Sequence, residues 1–121
     1  MATRNLTGDE FETTVESDGI VLVDFWAEWC GPCRQFGPVF EAASDKHDDI
    51  AFTKIDTEAE AMLAGGLGIS SIPTLMAFRD GILLYARPGA LPAEGLEQLI
   101  SAVREADMDE VRAEVARQTA E

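Results

Sequence analysis

Two cysteines stand three residues apart in Cys30-Gly31-Pro32-Cys33, and the chain has no others. A pair at this spacing can cycle between dithiol and disulfide, supply half of a metal site, or be chemically idle. A structural metal site takes about four ligands, and the only other soft candidate, His47, lies alone at the far end of the predicted helix that follows. No metal is expected. An idle pair would be scattered through a core rather than grouped behind a tryptophan with Gly-Pro between. Redox cycling is the chemistry that this spacing, at the start of a helix, favours. Unpaired N–H groups and the positive end of the dipole stabilise a thiolate there. Cys30, just outside the helix, is therefore predicted to be the exposed nucleophile, and Cys33, one turn in, the buried resolving thiol.

The elements that must hold this pair are legible in the hydrophobic pattern. Ile20 to Trp26 is apolar on both alternating faces apart from Asp24, the pattern of a central strand covered on both sides. Asp24 is therefore predicted to be buried, where desolvation raises a carboxyl pKa. After the cysteines, Phe36, Val39, Phe40 and Ala43 recur at helical spacing, predicting a helix from Pro32 to His47 with a kink at Pro38. Upstream, Thr7 and Glu10 form a capping box for a short helix over 9–17, ended at Asp18-Gly19. Ala51 to Asp56 reads as a second strand, and Glu58 to Ala64 as a short helix ended by Gly65-Gly66. Thr74–Arg79 and Ile82–Arg87 flank Asp80-Gly81, a hairpin signal. Pro92 to Ala106 carries the stripe Leu96, Leu99, Ile100 and Val103 of an amphipathic helix. With an edge strand at Thr3 to Leu6, the order predicts an α/β fold: a central mixed β-sheet with helices on both faces.

The 121-residue length fits one domain. Past Asp107 the chain turns acidic, and Asp107 with Glu110 suggests the cap of a final, solvated or loosely docked helix. The expected division is residues 1–106 as the domain and 107–121 as an acidic helical extension. Nine Lys/Arg against twenty-three Asp/Glu give a formal charge of −14, which is repelled by phosphate backbones and anionic lipid. Neither nucleic-acid nor membrane binding is expected. No apolar run approaches the ~20 residues of a membrane span, and the first residues do not read as a signal peptide, so a cytoplasmic location is expected.

The segment Val23-Asp24-Phe25-Trp26-Ala27-Glu28-Trp29-Cys30-Gly31-Pro32-Cys33-Arg34 resembles the active site of the thioredoxin family. Ile72-Pro73-Thr74, Phe78-Arg79-Asp80-Gly81 and Gly89-Ala90 match the family's later landmarks in order, so the resemblance spans about residues 4–106. It implies the thioredoxin fold, with the C-terminal helix as an addition. It also implies a protein-disulfide reductase working by dithiol–disulfide exchange through a Cys30–Cys33 disulfide. Asp24 would be the proton acceptor and donor for Cys33, Lys54 would tune Asp24, and Pro73 would lie in a cis-Pro loop against the cysteines. Trp29, Gly31, Pro32, Ile72 and Gly89 would form a flat substrate-docking surface. Implied partners are disulfide-containing proteins and an NADPH-dependent thioredoxin reductase. The chain would be a monomer with no bound cofactor, serving electron transport and cell redox homeostasis. Leu67, Ser70, Pro88 and Arg34 depart from the commonest family pattern at positions that bear on partner choice rather than on the redox step.

Overall fold

A computed structural model describes residues 2–120. Its elements are β1 (Thr3–Asn5), α1 (Gly8–Val15), β2 (Ile20–Trp26), α2 (Gly31–Lys46), β3 (Ile50–Asp56), α3 (Ala61–Gly66), β4 (Thr74–Arg79), β5 (Ile82–Pro88), α4 (Ala93–Glu105) and α5 (Met108–Thr119). The strands form one sheet in the order β1-β3-β2-β4-β5. β3 runs parallel to both β1 and β2, whereas β4 is antiparallel to β2 and to β5. This is the mixed sheet expected from the order of the elements.

Period-two alternation along β2 sorts its side chains onto two faces. Ile20 and Leu22 join Phe36 and Phe40 of α2 and Leu96 and Ile100 of α4 in one apolar layer. Val21, Val23 and Phe25 join Phe11 and Val15 of α1 in the other. With Val21, Leu22, Val23 and Phe25 all at 1% exposure or less, β2 is the covered central strand that its apolar run predicts. Alternation also puts Asp24 on the α2 face, in line with Leu22, and the parallel register sets it opposite Lys54 of β3.

Differences from the sequence expectations lie at element ends. The Thr7–Glu10 capping box is present, but α1 stops at Val15. The short helix over 58–64 begins instead at Ala61 and runs through both glycines to Gly66. The cause is local: the Asp56 carboxylate accepts from the backbone N–H groups of Glu58 (2.9 Å) and Ala59 (3.3 Å), holding the chain in a turn first. α2 spans Gly31–Lys46 with Pro38 inside it, starting one residue before the expected Pro32 and ending one before His47. Its far end is locked to α4, where Arg104 donates to Asp49 (2.9 Å) and to His47 Nδ1 (3.0 Å) while His47 Nε2 reaches Glu97 (2.8 Å).

The β4–β5 turn uses positive φ at Asp80 (51°) and Gly81 (82°), as a tight two-residue hairpin requires. Asp80 ties this turn to the α1–β2 loop, accepting from Gly19 N–H at 2.8 Å. Beside it, Arg79 Nη1 is 3.0 Å from each of the carbonyls of Val103, Arg104 and Ala106, closing the end of α4. α5 starts there, capped by Asp107 (3.2 Å to Glu110 N), with Met108 buried and Arg112 paired to Asp80 at 3.4 Å. Most of the remaining helix is exposed. Arg79→Met should lower the unfolding free energy by about 2 kcal/mol, because it strips hydrogen bonds made by a charged donor. Arg112→Met removes only a surface pair and should cost less than about 1 kcal/mol. Urea denaturation reads both, and equal losses would contradict this ranking.

Candidate active site

The site lies where β2 and β3 end and β4 begins, at the opposite end of the sheet from the hairpin turn and α5. Cys30 is the N-cap of α2, with extended backbone (φ −86°, ψ 112°), and Pro32 occupies the first turn, where its missing N–H costs nothing. Cys30 and Cys33 form a disulfide with a Cα–Cα separation of 5.2 Å. Cys33 N–H points at Cys30 Sγ (3.2 Å), one of the free helix-start donors that would steady a thiolate there.

Both sulfur residues are buried, Cys30 at 3% and Cys33 at 6% exposure. This corrects the expectation that Cys30 would be exposed. The disulfide sets its sulfur against the start of α2, and Ile72 and Trp26 pack over the pair. Position, not area, distinguishes the two. Cys30 faces the loop before β4, its Sγ 3.6 Å from the Ile72 carbonyl. Cys33 lines a cavity of about 220 Å³ together with Asp24, Trp26, Ala27, Glu28, Arg34, Gly37 and Lys54.

Asp24 has 1% exposure, and its Oδ1 has no hydrogen-bond partner among the described residues. Desolvation pushes its carboxyl from 3.8 up to about 7, against the attraction of Lys54, which pulls the other way and loses. The Lys54 ammonium is 5.3 Å from the centre of the Trp26 ring, a cation–π arrangement. The Trp26 indole N–H is likewise buried without a partner among the described residues. Asp24 and Trp26 thus each bring an unsatisfied polar group to the residues that line this cavity.

The Ile72–Pro73 peptide bond is cis. Pro73 is buried and Ile72 half-buried, with the Pro73 carbonyl accepting from Gly89 N–H at 2.8 Å. Gly89 adopts φ 117°, a conformation that favours glycine. Gly31, Pro32 and Gly89 are exposed around the cysteines, and Trp29 stands out at 67%. All ten residues singled out from the sequence thus gather at one end of the sheet. One neighbour was missed: Glu58 Oε1 accepts from Trp29 Nε1 at 3.0 Å. Nothing in the sequence separates Glu58 from other surface carboxylates, because its contact with Trp29, 29 residues away, is a tertiary arrangement.

A vicinal cysteine pair at a helix start, flanked by a cis-proline loop and a buried acid, defines a dithiol–disulfide exchange site. Comparison with known proteins gives the same class. The sequence matches the Thioredoxin family over residues 2–102. It is 52% identical over 120 residues to a putative thioredoxin 2 of Streptomyces coelicolor, covering 99% of this chain and 90% of that one. That match takes in the segment that forms α5. Over 94 residues it is 38% identical to a thioredoxin of Bacillus subtilis, covering 77% of this chain and 90% of that one. The crystal structure of Malassezia sympodialis thioredoxin superposes with a TM-score of 0.74 at 34% identity, covering 84% of this chain and 92% of that chain. The chain belongs to the thioredoxin family and has the thioredoxin fold, with a C-terminal helix. It is a thiol–disulfide oxidoreductase with protein-disulfide reductase chemistry.

Burial of Asp24 carries a pH signature. Its native pKa of about 7 exceeds the ordinary 3.8, so the folded state binds the extra proton between those values. The wild type therefore loses stability as pH rises from about 4 through 7, by roughly 4 kcal/mol in all. Asp24→Asn should raise the unfolding midpoint at pH 8 and leave it nearly unchanged at pH 4. A gain independent of pH would show that ionisation is not its source.

Proposed function

We propose that the chain reduces protein disulfides in a two-step exchange and is returned to the dithiol by an NADPH-dependent thioredoxin reductase. The observation that carries the division of labour is the shared cavity: Asp24 and Cys33 line it, whereas Cys30 faces the cis-proline loop. In the dithiol form the Cys30 thiolate attacks one sulfur of a target disulfide. That S–S bond breaks, a mixed disulfide forms at Cys30, and the first target thiolate leaves. Asp24, directly or through a water in the cavity, takes the Cys33 proton. The Cys33 thiolate then attacks Cys30 Sγ, reforming Cys30–Cys33 and releasing the second target thiolate. Two electrons pass from the pair to the target, and the reductase restores them.

A carboxyl with a pKa of about 7 is matched to this transfer, since it both accepts and returns a proton near neutral pH. Lys54 tunes it by opposing the desolvation. The Ile72 main chain, set next to Cys30 at the cis-proline bend, is available for pairing with a target segment, while Gly31, Pro32 and Gly89, beside the protruding Trp29, supply a small-featured surface that tolerates many sequences. The protein would act as a monomer in a reducing cytoplasm, where such dithiols persist, serving electron transfer and redox homeostasis. Residues 1–106 would carry this function as a domain, with 107–121 as an appended helix. No helix among the described residues is long and apolar enough to cross a membrane.

Cys30→Ser should abolish reduction of insulin disulfides. Cys33→Ser should retain the first attack and accumulate target proteins as mixed disulfides through Cys30, visible on non-reducing gels. Trapping through Cys33 in the Cys30→Ser protein instead would reverse the two roles. With Asp24 as base, the rate of mixed-disulfide release should rise with pH through about 7 and lose that inflection in Asp24→Asn. An unchanged profile in stopped-flow fluorescence would remove Asp24 from proton transfer.

A further inference from the structure

Trp29 presents most of its indole to solvent beside the nucleophilic cysteine (67% exposed), and Glu58 fixes the ring through the 3.0 Å bond from Nε1 to Oε1. Glu58 is itself exposed and held by the turn in which Asp56 accepts from its backbone N–H at 2.9 Å. Its second oxygen, Oε2, makes no hydrogen bond to any described residue. An indole face and a carboxylate oriented against one another by a direct bond have the two attractions that a cation needs. The ring quadrupole draws positive charge, and the free oxygen accepts a charge-assisted hydrogen bond.

The basic side chains near Trp29 and Glu58 in sequence make other contacts. Between residues 24 and 34 and between 54 and 60 the only cations are Arg34 and Lys54. Arg34 Nε donates to the Glu28 carbonyl at 3.0 Å, and the Lys54 ammonium lies over Trp26. The same two stretches carry Asp24, Glu28, Asp56, Glu58 and Glu60, within a chain of formal charge −14. The long-range field therefore draws in positive partners and discourages negative ones.

We propose that the Trp29–Glu58 pair is a cation subsite, selecting target disulfides that carry a lysine or arginine side chain next to the attacked cysteine. The subsite rests on the exchange reading above and adds a substrate class to it. The ammonium or guanidinium lies over the exposed Trp29 face and bonds Glu58 Oε2 while Cys30 engages the disulfide. Glu58 is a specificity-determining residue here and takes no part in the exchange of bonds.

Three synthetic peptide disulfides, identical except for Lys, Gln or Glu beside the attacked cysteine, test this with the full chain and dithiothreitol as the reductant. The wild type should reduce the Lys peptide with kcat/KM at least about tenfold above the Glu peptide at low salt, with the difference in KM. Glu58→Gln keeps an oxygen acceptor for the indole and removes the charge, and should bring the Lys/Glu ratio to within about threefold. Glu12→Gln, which changes net charge equally on exposed α1, should keep the wild-type ratio. Equal kcat/KM for the Lys and Glu peptides in the wild type would overturn the subsite, as would an equal fall of the ratio in Glu12→Gln and Glu58→Gln. Failure to reduce any peptide, or a small aromatic disulfide, would overturn the exchange reading itself. Steady-state tryptophan fluorescence compared with and without Glu58→Gln in a Trp26→Phe background, where Trp29 is the sole tryptophan emitter, verifies that the ring stays in place.

Discussion

The burial of one carboxyl group on the central strand governs much of this structure. Asp24 stands between Val23 and Phe25, both apolar and inaccessible, and desolvation outweighs the attraction of Lys54. A group held this way costs stability whenever it ionises, so its place must be fixed by packing on all sides. β2 supplies that rigidity. It is paired on both edges, covered by α1 on one face and by α2 and α4 on the other. An edge strand could not hold an acid in that state.

The same strand aims the chemistry. Because β2 ends at Trp26 and the chain turns at once into α2, Cys30 falls at the helix start and Cys33 falls over the face that carries Asp24. The antiparallel β4 brings the cis Ile72–Pro73 bond to that end of the sheet, so the loop meets Cys30 from the other side. Each sulfur is thereby given a different environment by elements far apart in sequence. The α5 helix docks at the opposite end, through Met108 and the Arg112–Asp80 pair, and leaves the site open.

Charge acts at two ranges. The overall excess of carboxylates sets which partners approach. Close to the cysteines, the Glu58 carboxylate orients Trp29 and gives the docking surface a local polarity that its flat, small-residue parts lack. Arg34 and Lys54 make their own contacts with the Glu28 carbonyl and the Trp26 ring rather than with Glu58.

The sequence alone determined the elements and the chemical class. Period-two and period-3.6 patterns are local consequences of burial, so β2, α2, the hairpin and α4 were legible to within a few residues. The vicinal cysteines before a helix were equally plain, and the interrupted apolar run marked Asp24 as buried. Element ends were less legible, as at α3, where the Asp56 carboxylate diverts the chain into a turn before the helix starts. Only the tertiary structure decided which groups face each other: that both cysteines are covered in the disulfide, that Asp24 and Cys33 share a cavity, and that Glu58 holds Trp29. The reason is physical. Local patterning specifies how each segment hides its apolar side chains. Accessibility, desolvation and hydrogen-bond partners arise from the meeting of segments distant along the chain.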